Sequence, residues 1–180
     1  MKTLLPKMFK CRIAQAGLLV AVIAAVTACI AWSTDSPVLA KFEGAWVASV
    51  DNGIRAVVTF APSDPSGRIA TFRNQMVVPP ELLAALGVEA YTDEIGESVV
   101  KGPTTGKHTG IWYGLAGGRI ATIFLDNSSV TFVSPTQLTI EHTVAAYLAT
   151  ADADNDGYPD PGSTPLGVFT AHTVSKRLSN

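Results

Sequence analysis

The residues best suited to chemistry lie between positions 142 and 172. The run Asp152-Ala-Asp154-Asn-Asp156-Gly157-Tyr158-Pro159-Asp160 puts carboxylates at positions 1, 3, 5 and 9, with glycine at 6. In a tightly curled loop alternate residues turn their oxygens inward. Asp152, Asp154, Asp156 and Asp160 would then converge on one hard cation, with the Tyr158 carbonyl as a further ligand. Calcium is the cofactor this spacing suits. The same Asp, Asn, Gly and Pro residues also make an ordinary solvated hairpin loop, and both readings stay open. His142 and His172 lie equally far on either side of Gly157. In a regular hairpin centred there they become near cross-strand neighbours, able to hold a transition metal or pass a proton. Beside Ile140, Val144 and Val174 they would equally serve as wall residues. His108 joins them only if the fold brings it near.

Other motifs fail on spacing. Gly102-Pro-Thr-Thr-Gly106-Lys107-His108-Thr109 has three residues between its glycines where a phosphate-binding loop needs four, and no helix follows. Neither Gly-x-Ser-x-Gly nor His-Glu-x-x-His occurs, so no hydrolase signature points to an enzyme.

These residues sit in a chain of 180, enough for one domain. Its average composition misleads, because one uncharged block from Ile13 to Trp32 carries much of the hydrophobicity. Lys2, Lys7, Lys10 and Arg12 precede that block, and no acidic residue occurs before Asp35. This order is the grammar of an export signal or membrane anchor over residues 1–32, followed by a linker over 33–41. Val26-Thr27-Ala28-Cys29 resembles a bacterial lipobox, which implies lipidation at the Cys29 sulfur. Two rivals remain: a retained spanning helix with Trp32 at the interface, and cleavage after Val38-Leu39-Ala40. All three place residue 41 onward outside the cytoplasm, in the cell envelope if anchored. From Cys29 on, 9 Lys and Arg face 15 Asp and Glu, a net charge of −6. That balance gives no reason to seek nucleic acid. Both cysteines, Cys11 and Cys29, lie in the leader, so the outer domain is stabilised by its own core.

From residue 42 to 180 the sequence breaks into short alternating runs. Residues 43–50 and 54–60 flank Asp51-Asn52-Gly53, a hairpin signal because Asn-Gly tolerates the positive φ of a tight turn. Further strands are predicted over 68–78, 95–101, 108–116, 119–125, 128–133, 138–149 and 166–177, with one short helix over 81–86 closed by Gly87. Eight or nine antiparallel strands at this spacing predict an all-β barrel or sandwich.

The first strand carries Phe42-Glu43-Gly44-Ala45-Trp46. Here the chain resembles the lipocalin and wider calycin superfamily, whose first strand contains Gly-x-Trp. The resemblance implies an eight- to nine-stranded antiparallel barrel closed at one end by Gly44 and Trp46, with a basic residue of the last strand, Arg177 or as fallback Lys176, over the indole. It also implies a cavity for a small apolar or amphipathic ligand, lined by residues such as Val58, Phe60, Ile140 and Val144. The Asp152 run resembles the first three-quarters of an EF-hand loop. Ser163 stands where the bidentate Glu belongs, and Pro159 and Pro161 forbid the following helix. A calcium-clamped hairpin loop is the expectation. A calcium-stabilised structural or interaction module without a cavity is the alternative to a ligand carrier, and an enzyme built on the histidine pair is a third reading.

Overall fold

A computed structural model describes residues 42–65 and 68–178. The expected leader, the linker and Cys29 lie outside the described residues. Among the described residues no helix is long and apolar enough to cross a membrane.

Nine strands form one antiparallel sheet: β1 Gly44–Val50, β2 Arg55–Pro62, β3 Ile69–Val77, β4 Ala90–Tyr91, β5 Glu94–Val100, β6 Thr105–Ala116, β7 Arg119–Ser134, β8 Gln137–Leu148 and β9 Gly167–Arg177. Eight of them close on themselves. The chain runs β1-β2-β3-β5-β6-β7-β8-β9 around the ring, each strand pairing with its neighbours, and β9 returns to β1. The two-residue β4 extends the β5 side, pairing with Gly114 and Leu115 of β6. One short helix, α1 Pro80–Ala85, sits in the β3–β4 connection, started by a proline in its first turn. The domain is thus an all-β closed barrel, one of the two architectures the strand spacing allows and the one the resemblance implies. Closure satisfies every strand edge in the ring, so no unpaired edge needs protecting.

Alternation sorts the side chains. Trp46 and Ala48 of β1, Ala56, Val58 and Phe60 of β2, and Ala70 and Phe72 of β3 face the buried interior. One end of the barrel is plugged by aromatics: the Phe42 ring lies 5.1 Å from Phe60 and 4.7 Å from Phe132. Trp46 is fully buried among them, and its Nε1–H donates to the Phe42 carbonyl at 2.8 Å. Burying each such ring contributes roughly 2–3 kcal/mol. Trp46 pairs directly with Arg177 across β1 and β9, and the guanidinium stands 4.8 Å from the indole centroid.

One sequence expectation is corrected. Residues 119–125 and 128–133 are not two strands but one, β7, which runs unbroken for 16 residues. Asp126-Asn127-Ser128-Ser129 reads as a turn because these residue types are depleted in strands. In the barrel Asp126 and Ser128 instead point inward, in phase with Phe124, Val130 and Phe132, and are buried.

Candidate functional site

Above the aromatic plug the interior is not fully packed. A chamber of about 300 Å3 is walled by side chains including Val50, Ile54, Met76, Trp112, Phe124 and Val144. Val58, Phe60 and Ile140 also line it, and Leu82 and Leu86 reach it from α1 and the residue that caps it. Trp112 and Phe124 stack at 5.2 Å with planes 8° apart, a flat apolar wall.

Into this apolar space four neighbouring strands project titratable groups. The β5–β6, β6–β7 and β7–β8 registers align Ser98, His108, Ser128 and His142 in one inward-facing row across the strands. Asp126 lies one inward step from Ser128 along β7, and Glu94 lies two inward steps from Ser98 along β5, past Gly96. All but His142 are under 4% exposed, and the His142 side chain is 14% exposed.

Hydrogen bonds fix the geometry. His142 Nδ1 lies 2.6 Å from Asp126 Oδ2 and 3.1 Å from Ser128 Oγ, and its Nε2 lies 2.9 Å from Thr173 Oγ1. An ionised carboxylate only accepts, so Nδ1 carries the proton. Ser128 Oγ–H donates to Asp126 Oδ1. His108 Nδ1 pairs with Ser98 Oγ at 2.9 Å, while its ring stacks on Phe72 at 3.9 Å. Its Nε2 is thereby aimed at Glu94 Oε1, 3.5 Å away, and Asp126 Oδ2, 3.9 Å away. Asn74 Nδ2 donates to Glu94 Oε2 at 2.9 Å. Room for the Glu94 carboxylate comes from Gly110, where an added Cβ would sit 2.2 Å from Oε1.

Electrostatics favour charge on His142. Burial is the largest influence and pulls its pKa down. The hydrogen bond and charge of Asp126, with the charges of Glu94 and Glu141, outweigh it and raise the pKa above 6.5. The chamber is therefore an apolar pocket with a polar, carboxylate-rich floor. Such a floor suits a cation or a ligand's hydrogen-bond donor.

Of the sequence-predicted residues, His142 belongs to this floor and His172 does not. The β8–β9 register pairs His142 with Ala171 and Glu141 with His172, one residue away from the pairing a hairpin centred on Gly157 would give. A one-residue offset sends the two histidines to opposite faces. His172 faces outward, its Nδ1 2.6 Å from Glu141 Oε1, so the expected histidine pair does not form. His108 does approach His142, with ring centroids 6.2 Å apart.

The Asp152 loop follows a short 3-10 turn, Ala149–Ala151, and precedes β9. One oxygen from each of Asp152, Asp154 and Asp156 lies within 4.8 Å of the others. Asp152 accepts from the Asp156 and Gly157 amides at 3.0 Å each, and Asp160 accepts from Ala153 N at 3.1 Å. The Gly157 carbonyl accepts from Tyr113 OH at 3.1 Å. Tyr158 is exposed.

Sequence reasoning passed over Glu94, Asp126, Ser98 and Ser128. The signal was parity. Residues 94, 98, 108, 126 and 128 all fall in phase with buried apolar neighbours on their own strands.

No protein-family model and no curated protein matches the sequence. Among solved structures, the chain is similar to EF1p2_mFAP2b bound to DFHBI, with 16% identity over 78% of this chain and 99% of that one, and a TM-score of 0.51. A redesigned β-barrel, b11L5F_LGL, aligns over 78% of this chain and 95% of its own at 14% identity, with a TM-score of 0.49. The first similarity is one of fold.

Proposed function

We propose that the barrel is a lipocalin-like carrier or receptor for one small, flat, largely apolar molecule with a hydrogen-bond donor at one end. The observation that carries this reading is the chamber itself: largely apolar walls, a stacked Trp112–Phe124 face, and buried carboxylates gathered at the floor. About 300 Å3 lies at the lower end of small-molecule sites. Resemblance in the Gly44–Trp46 strand supports the lipocalin kinship, and the fold likeness to EF1p2_mFAP2b, solved bound to DFHBI, is in keeping with a ligand inside such a barrel. The reading sets the domain outside the cytoplasm, tethered through residues 1–32 with Cys29 as the lipidated residue; the basic flank and apolar block support it. The Asp152 loop would take a structural calcium ion, supported by the spacing of Asp152, Asp154, Asp156 and Asp160.

The test uses full-length protein in detergent with chelator present. N-phenylnaphthylamine, a neutral aromatic amine with one N–H donor, is titrated while its own fluorescence and that of tryptophan are followed. Saturable one-to-one binding that is lost in Val144→Trp, which fills the chamber, is the expected result. Binding that does not saturate, or that survives Val144→Trp, refutes the reading.

A further inference from the structure

We propose that Glu94, His108 and Asp126 form a binding site for one divalent transition-metal ion of the zinc class at the chamber floor, with an open coordination position facing the cavity. The proposal goes beyond small-molecule binding and does not require it.

Three features converge. The first is donor geometry. His108 Nε2 stands 3.5 Å from Glu94 Oε1 and 3.9 Å from Asp126 Oδ2, and all three donor atoms lie within 4.8 Å of one another. These separations are too long for good hydrogen bonds. They suit a coordination sphere: with bonds of about 2.0–2.1 Å, the edges of a tetrahedron around zinc measure about 3.3–3.4 Å. The His108–Glu94 separation is within about 0.2 Å of that edge, and the His108–Asp126 separation exceeds it by about half an ångström.

The second is an unanswered acceptor. Glu94 is 2% exposed, and Asn74 satisfies its Oε2, yet Oε1 is buried with no hydrogen-bond donor and points at His108 and Asp126. Gly110 keeps that position open, because any Cβ there would collide with the oxygen. Within the described residues, the basic groups in ion-pair reach of the two carboxylates are the imidazoles of His108 and His142. Two carboxylates are thus buried side by side in an apolar interior, an arrangement that is costly unless a cation compensates it. A divalent ion between them would supply that compensation.

The third is the supporting layer. A ligating histidine normally donates its other N–H to a fixed acceptor, and ligating carboxylates are themselves hydrogen-bonded. Ser98 Oγ sits 2.9 Å from His108 Nδ1, in place to accept that proton and direct the Nε2 lone pair inward. Asp126 is held by His142 and Ser128, and Glu94 by Asn74. Three protein ligands with one position left to the cavity is the arrangement of zinc sites that bind water or a ligand, rather than of closed structural sites.

Cobalt(II) is the probe, because its visible d–d bands report coordination directly. Full-length, chelator-stripped, untagged protein is titrated with Co2+, and then with Zn2+ in competition. One equivalent of Co2+ with bands of four- or five-coordinate type, displaced by Zn2+, is expected. Glu94→Gln and His108→Gln should each abolish the bands, whereas the triple variant D152N/D154N/D156N should leave them unchanged. X-ray absorption on the zinc-loaded wild type keeps the test independent of variant folding: a single imidazole in an otherwise oxygen shell is expected. No d–d bands, bands that survive in folded His108→Gln, or a zinc shell without imidazole each overturn the assignment. Because the fluorophore test above runs in chelator, either reading can fail alone.

Discussion

Gly110→Ala tests whether the chamber floor is as tight as its geometry says. The new Cβ would lie 2.2 Å from Glu94 Oε1, 2.9 Å from Cδ and 3.0 Å from Cγ. Ordinary contact begins near 3.4 Å, so the carboxylate must retreat by about 1.2 Å. It has little freedom to do so, being 2% exposed with Oε2 held by Asn74 at 2.9 Å. Overpacking of this kind costs about 1–3 kcal/mol. Alanine returns about 0.4–1 kcal/mol by restricting the unfolded chain. The net expectation is a loss of about 1–2 kcal/mol. Urea unfolding of the full-length protein in chelator, followed by the fluorescence of Trp46 and Trp112, should show a lower midpoint with an unchanged slope. The cause is isolated by repeating the substitution in a Glu94→Ala background, where the colliding atoms are gone; there Gly110→Ala should cost little, a coupling of about 1–2 kcal/mol. By contrast, Gly96→Ala would place its Cβ 2.0 Å from the Thr109 carbonyl oxygen, a backbone atom that cannot swing aside, and should damage the barrel in either background. An undiminished midpoint for Gly110→Ala, or an equal loss with Glu94 removed, would refute the reasoning.

Four further outcomes follow from the same structure. His142→Ala strips Asp126 of its close imidazole and should destabilise by about 3 kcal/mol. His172→Ala should change stability by less than about 0.5 kcal/mol, since its pair with Glu141 has side chains 42% and 67% exposed; equal losses in chemical unfolding would show that the register is misassigned. Burial raises the Tyr91 phenol from 10.0 to about 12. The fold therefore keeps this proton while the unfolded chain loses it near pH 10, so the stability Tyr91 contributes is complete below pH 10 and is lost as pH rises through about 12. Tyr91→Phe should flatten the alkaline fall in stability, and a variant curve parallel to the wild type would count against the half-buried phenol as its source. Arg177→Ala removes the guanidinium from the Trp46 face and should cost roughly 1 kcal/mol in thermal unfolding, with a loosened tryptophan signal in near-ultraviolet dichroism; an unaltered Trp46 signal would mean that the indole is held by its aromatic neighbours alone.

The barrel was legible because its strands alternate and its turns carry Asn52-Gly53, Gly117-Gly118 and the proline breaks; these local signals agree with the closed ring. The floor of the chamber was not legible, for a physical reason. Asp126, Ser128 and His108 have low strand propensity or ambiguous polarity, so a reading by composition moves Asp126 and Ser128 into a loop and cuts β7 in two. What holds them in a strand is tertiary: pairing with β6 and β8 on both sides supplies the ladder bonds, and Ser98, His142 and Thr173 satisfy the groups that alternation drives inward. The histidine expectation failed in a complementary way. Symmetry about Gly157 assumes that the β8–β9 link is a regular hairpin, but a 3-10 turn and a curled acidic loop occupy it, and the register settles one residue off. Parity within a strand survives such offsets, because it depends only on the strand's own phase. Counting in twos from Phe124 reaches Asp126, Ser128, Val130 and Phe132, and counting back from Val100 reaches Ser98 and Glu94. Where a strand's inward phase turns acidic between aromatic residues, local preference and global fold are in conflict, and in a closed barrel that conflict marks the place where the interior was kept for something other than packing.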